Sequence, residues 1–83
     1  MQIFYTYTAE KQFEDLPKID QKRIAKKMRW FMSQSEPLKF AKHLIGYDAW
    51  RFRIGDYRLI FEVSNSIITI LFIEWRDQVY NKL

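Results

Sequence analysis

The spacing of hydrophobic positions changes twice along this chain, and the changes mark out its elements. The opening "IFYTY" (3–7) alternates Ile3, Tyr5 and Tyr7 against Phe4 and Thr6, the two-residue period of a strand built from strand-forming residues. "AEKQFEDL" (9–16) then sets Ala9, Phe13 and Leu16 on one helical stripe, with Thr8 as the expected N-cap and Pro17 as its stop. "QKRIAKKMRWFMSQ" (21–34) repeats that period with Ile24, Met28 and Phe31, widened by Ala25 and Met32, behind an expected N-cap at Asp20. Past Pro37, "LKFAKHLIGYD" (38–48) reads as a loop or a short helical turn ending near Gly46. Three strands follow: "AWRFRI" (49–54), "YRLIFEV" (57–63) and "IITILFIE" (67–74). Gly55-Asp56 joins the first two with glycine first, as a two-residue type II′ hairpin requires, and "SNS" (64–66) is a second short turn. The last strand is apolar at nearly every position, which predicts a central strand covered on both faces.

The order β-α-α-β-β-β predicts an α+β fold. Two N-terminal helices should pack on one face of a twisted, mainly antiparallel four-stranded sheet, in a single domain over residues 1–83. A chain this short buries only roughly 60–65% of its unfolded surface, so its core must be efficient. The composition, 48% hydrophobic and 18% aromatic, meets that demand, and only two glycines and two prolines leave little room for linker. With no cysteine, disulfides, thiolate metal sites and cysteine nucleophiles are excluded. The first residues lack the basic segment and long apolar core of a signal peptide, and no run approaches ~18 apolar residues. The expectation is a cytoplasmic protein with no membrane partner.

Charge sharpens this picture through placement more than amount. The net charge of +4 and pI near 9.5 lean toward anionic partners. If Gly55-Asp56 is a two-residue loop, Ile54 faces Tyr57, Arg53 faces Arg58 and Phe52 faces Leu59. Trp50, Phe52, Ile54, Tyr57, Leu59, Phe61 and Val63 then share the helix side of the sheet. Arg51, Arg53 and Arg58 share the other side with Ile60 and Glu62. An opposed arginine pair is mildly destabilising, by under ~1 kcal/mol. Either these are solvent-facing charges partly neutralised by Glu62, or three forked guanidiniums converge on an oxyanion, with phosphate the best geometric fit. The pattern leaves RNA, DNA and an acidic protein segment open. After the last strand, Trp75, Arg76 and Tyr80 either close the core at its edge or add stacking and charge beside the arginines, the combination used for single-stranded nucleic acid.

"YDAWRFRIGDYRLIFEV", an apolar strand and then "WRDQVYNKL" resemble the RelE/ParE superfamily of bacterial and archaeal toxins. The similar motifs are the aromatic-basic-x-basic strand, the G-D/N-Y-R-hydrophobic hairpin and the closing R-x-x-V-Y, with "HLIG" and "FEDLPK" at comparable places. The resemblance spans nearly the whole chain. It implies a small toxin encoded beside an antitoxin that wraps around it. One branch of the superfamily cleaves mRNA in the ribosomal A site; the other poisons DNA gyrase, and fold alone does not choose between them.

On the mRNA-cleaving side, the resemblance implies catalytic roles for Arg51 and Arg53, where relatives often carry lysines. It implies phosphate binding by Arg58, a basic contribution from Arg76, and stacking on or orienting of the substrate nucleotide by Tyr80. Lys22, Arg23, Lys26 and Lys27 become candidate contacts for ribosomal RNA phosphates, against the plainer reading of a solvated helix face, and Trp75 a further RNA contact. The sequence departs from the common closing "H-R-R-x-V-Y", with Trp75 for His and Asp77 for the second Arg. In the implied reaction the substrate's own 2′-OH attacks the adjacent phosphate, leaving a 2′,3′-cyclic phosphate and a 5′-OH. It needs positioning, charge stabilisation, a base and an acid, and calls for no metal or other cofactor. A guanidinium with pKa above ~12 is no base, which leaves His43, Glu62 and Tyr80 as candidates. The expected function is a ribosome-dependent endoribonuclease whose partners are an antitoxin, the ribosome and mRNA. A gyrase-inhibiting toxin and a non-toxic basic module are the alternatives.

Overall fold

The computed structural model describes residues 1–75. Strand β1 (Gln2–Tyr5) stops before the alternation does, because Thr6 leaves the strand to cap helix α1 (Tyr7–Glu14). The Thr6 hydroxyl accepts the Ala9 N–H at 3.1 Å, so the cap is Thr6, and Thr8 lies inside the helix. Helix α2 (Lys18–Ser33) begins directly after Pro17, which supplies a fixed φ and no N–H to satisfy, and no side chain caps it. Asp20, the expected cap, sits in the first turn instead. There its charge favours the helix dipole, and its carboxylate accepts the Tyr57 hydroxyl at 2.8 Å.

A short 3-10 turn (Pro37–Phe40) leads to β2 (Lys42–His43), β3 (Trp50–Ile54), β4 (Tyr57–Ser64) and β5 (Ile67–Trp75). The sheet therefore has five strands, one more than predicted, in the order β1-β5-β4-β3-β2. The extra strand comes from the segment expected to be loop. Lys42 and His43 pair with Arg51 and Trp50, covering part of the edge that β3 would otherwise expose. Two residues cannot display a period, so β2 has no sequence signature. Strand β1 runs parallel to β5 and every other pairing is antiparallel; β5 is interior, between β1 and β4, and β4 holds the middle of the sheet. Among the described residues no helix is long and apolar enough to cross a membrane.

The β3–β4 and β4–β5 hairpins use mirror-image turns. Gly55 takes φ +58° while Asp56 stays negative, the type II′ pattern. Asn65 and Ser66 take φ +52° and +64°, the type I′ pattern, in which the second position favours glycine. Ser66→Gly is therefore expected to stabilise the fold by about 0.5–1 kcal/mol, the left-handed strain relieved less the added chain entropy. Urea denaturation measures this, and a lower midpoint for the variant would count against the turn assignment.

Helices α1 and α2 cover one sheet face. Ile24, Met28 and Phe31 of α2 and Ala9 of α1 meet Phe52, Ile54, Tyr57, Leu59, Phe61, Ile68, Ile70 and Ile73 in one apolar cluster. The sheet residues in that list from β3 and β4 are those the hairpin register assigns to the helix side. Where β1 ends, α1 takes over as partner to the edge of β5. Thr6 donates its hydroxyl to the Leu71 carbonyl at 2.6 Å, and Gln12 Oε1 accepts the Ile73 N–H at 2.6 Å.

Tyr57 ties the start of α2 to β4. Burial first, then the hydrogen bond and charge of Asp20 and the charge of Asp56, push its phenol up to about 12 from an ordinary value of 10.0. The unfolded chain releases this proton near pH 10 and the folded chain holds it to about 12. Tyr57 thus contributes stability that is fully present below pH 10 and is lost as pH rises through 12. Tyr57→Phe should flatten that alkaline loss in denaturation curves and cost about 1–2 kcal/mol at neutral pH.

Candidate functional site

On the sheet face away from the helices, Arg53 lies directly opposite Arg58 and Arg51 opposite Ile60, as a two-residue loop requires. Arg51 and Arg58 are half-buried; Arg53 is exposed. Arg51, Arg58 and Glu74 line a groove of about 480 Å³ with Ile60, Phe72 and Leu71, and the loop after β2 contributes Leu44, Tyr47 and Ala49. Ile60 is only 5% exposed although it faces away from the helices. It pairs across the strands with Phe72, and the two form an apolar floor beside the guanidiniums. Charges above such a floor are less screened than in water, so a bound anion is held more strongly.

A β-bulge decides which carboxylate reaches this groove. Ile60 pairs with Phe72 but Phe61 pairs with Ile70, leaving Leu71 as the extra residue on β5. Strict alternation from Ile68 and Ile70 would carry Phe72 and Glu74 into the core. The bulge reverses the faces, so Ile73 enters the core at 6% exposure while Phe72 and Glu74 join the arginines. The Thr6 hydroxyl on the Leu71 carbonyl pins the bulge. Glu74 thus stands directly opposite Arg58, a placement that alternation conceals.

The same register separates the candidate bases. His43 pairs with Trp50 and packs edge-on against its ring at 4.7 Å, on the helix side of the sheet, away from the arginines. Its neighbour Lys42 pairs with Arg51 and adds a cation to the arginine face. Glu62 is on that face but exposed, opposite Thr69, and is not in the groove. Four strand positions separate it from Arg58, about 13 Å at ~3.3 Å per residue.

Arg53 lines a second groove, of about 370 Å³, with Arg23, Lys26, Lys27 and Trp30 of α2. The Lys27 ammonium sits 4.5 Å from the Trp30 ring centroid, a cation–π contact. Arg23 packs over the hairpin tip, where a Cβ on Gly55 would meet its Nη1 at 3.4 Å. Lys22 is exposed on α2 and lines neither groove. Trp75 pairs with Tyr57, which places it on the helix side, in a groove with Asp15 and Asp20. Arg76 and Tyr80 lie outside the described residues.

Among the described residues the ion pairs are Lys11 with Glu14 and Lys39 with Glu36. No guanidinium there has a carboxylate within 4.0 Å, Glu74 and Arg58 included. Nor do three His, Cys, Asp or Glu side chains gather as a metal site within those residues. The groove therefore offers two half-buried arginines able to fork onto a phosphate, an apolar floor, and one carboxylate across the strands from Arg58.

Solved structures share this architecture. The chain matches the RelB–RelE antitoxin–toxin complex of Methanococcus jannaschii at TM-score 0.74 and 24% identity, over 96% of this chain and 98% of that one. It matches the archaeal RelE–RelB complex of Pyrococcus horikoshii OT3 at 0.69 and 27%, over 90% and 93%. The isolated RelE toxin of E. coli matches at 0.72 and 18%, over 98% and 92%. No match was found among curated proteins. The family described as "ParE toxin of type II toxin-antitoxin system, parDE" matches residues 3–80, nearly the whole sequence, and the chain belongs to that family within the RelE/ParE superfamily.

Proposed function

We propose that this toxin is a metal-independent endoribonuclease that cuts mRNA in the ribosomal A site and so halts translation. The observation that carries the reading is the pair Arg51 and Arg58, half-buried on an apolar floor with no carboxylate within 4.0 Å among the described residues. Keeping guanidiniums partly out of water with no carboxylate partner among the described residues is costly, and a bound phosphate offsets that cost. The two forks hold the scissile phosphate and take up the charge that grows as the 2′-OH attacks it. Arg53 adds positive potential from the hairpin edge. Arg76 and Tyr80, through the family resemblance, complete the substrate contacts.

Lys22, Arg23, Lys26 and Lys27 provide the contacts to ribosomal RNA, with Arg53 continuing the track from α2 to the groove. Trp75, on the helix side beside Asp15 and Asp20, stands apart from this track. Binding through so many phosphates falls steeply with salt. A cognate antitoxin is the second partner, since two of the similar structures are complexes of a toxin with its antitoxin. The site of action is the cytoplasm, where ribosomes are.

The match to the ParE family favours one other reading, inhibition of DNA gyrase without any cleavage. One paired experiment decides between them. Purified toxin is incubated with mRNA-programmed ribosomes, and transcript ends are mapped; a parallel reaction follows gyrase supercoiling. The expected result is cut mRNA bearing a 2′,3′-cyclic phosphate, with supercoiling unaffected. Intact transcripts and arrested supercoiling would establish the gyrase reading instead.

A further inference from the structure

The geometry points to Glu74 as the general base of the cleavage step, an assignment that rests on the nuclease reading above. Three observations converge on it. Glu74 lies directly across from Arg58 in the β4–β5 register. It lines the same groove of about 480 Å³ as Arg51 and Arg58, over the Ile60 and Phe72 floor. It also reaches that face only because the bulge at Leu71, held by the Thr6 hydroxyl, reverses the alternation of β5. Bulges beside active sites characteristically re-aim a side chain in this way.

Alternative uses of Glu74 account less well for the arrangement. A structural ion pair would close onto Arg58, yet the two are not within 4.0 Å. As a plain surface charge it would weaken phosphate binding by placing an anion beside the anion. An acceptor that takes the nucleophile's proton gains from that position, because the reacting 2′-OH sits next to the phosphate the arginines hold.

In the step, the Glu74 carboxylate takes the proton of the 2′-OH as the 2′-oxygen bonds to phosphorus. The bond from phosphorus to the 5′-oxygen breaks, and the leaving oxygen takes a proton from water. The products are a 2′,3′-cyclic phosphate and a 5′-OH, with Glu74 protonated until it returns its proton to solvent.

The test compares Glu74→Gln and Glu74→Asp with the unaltered toxin on mRNA-programmed ribosomes, measuring single-turnover cleavage and ribosome binding separately. Glu74→Gln keeps shape and removes the proton acceptor. It should cleave about 100-fold more slowly while binding the ribosome as tightly or more tightly, and Glu74→Asp should recover part of the rate. Glu74→Gln cleaving as fast as the unaltered toxin, or faster, overturns the assignment and leaves the nuclease reading standing. Unaltered toxin that leaves mRNA whole overturns the nuclease reading, and the role of Glu74 falls with it.

Discussion

Arg58→Ala is expected to slow cleavage of ribosome-bound mRNA by about 10²–10³-fold, the loss seen when one preorganised donor to a developing anion is removed. Arg58 lies on β4, a strand paired on both sides, so its backbone and side-chain direction are fixed before substrate arrives. Its flanking positions are Arg53 on β3 and Glu74 on β5. Stability should hold or rise slightly, because the variant removes a directly opposed arginine pair that costs under ~1 kcal/mol. A large rate loss without a stability loss separates a catalytic role from a structural one. Arg53→Ala is the internal comparison: exposed and lining the second groove, it should lose less than about 10-fold. Arg58→Lys should recover only part of the rate, since an ammonium keeps the charge and loses the planar fork. Single-turnover cleavage and urea denaturation on the same preparations check both halves. Arg58→Ala cutting at the rate of the unaltered toxin would sink the phosphate assignment.

How much of this was legible in the sequence depended on whether a residue's position follows from local periodicity. The Gly55-Asp56 loop fixes its own length, so the opposition of Arg53 to Arg58 and the core side of Phe52 and Leu59 followed from counting alone. The helical stripe of Ile24, Met28 and Phe31 was equally plain. Two features escaped for a shared reason: each depends on a partner outside its own segment. Strand β2 exists because β3 offers it an open edge, and its residues carry no period of their own. Glu74 is on the arginine face because Thr6, 65 residues before Leu71, holds a bulge that alternation cannot announce. The caps failed more simply. Thr6 and Thr8 are chemically equivalent candidates, and the one closer to β5 also gains the Leu71 carbonyl. Asp20 has the chemistry of a cap, but its carboxylate serves Tyr57 across the core boundary.

Phe52→Ala is expected to destabilise the fold by about 3–5 kcal/mol, the range for removing a buried aromatic ring. The residue is 0% exposed. Its ring stacks on Phe31 of α2 at 4.4 Å and 12° between planes, and on Phe61 of β4 at 4.5 Å and 22°. It therefore fills the space between helix and sheet at the centre of the core. An 83-residue chain has a total stability of roughly 4–12 kcal/mol, so the variant forfeits a large share of it. At ~4–8 °C per kcal/mol, the thermal midpoint should fall by more than about 12 °C. Phe52→Leu, which keeps much of the volume, should cost less than half as much. The consequence extends to chemistry, because Phe52 is the residue between Arg51 and Arg53 and its burial holds that strand against β4. Residual folded Phe52→Ala should thus bind phosphate-bearing substrate more weakly, with Arg51 no longer pre-set over the groove. A stability within about 1 kcal/mol of the unaltered protein would mean that the three-ring stack does not anchor α2 to the arginine strand.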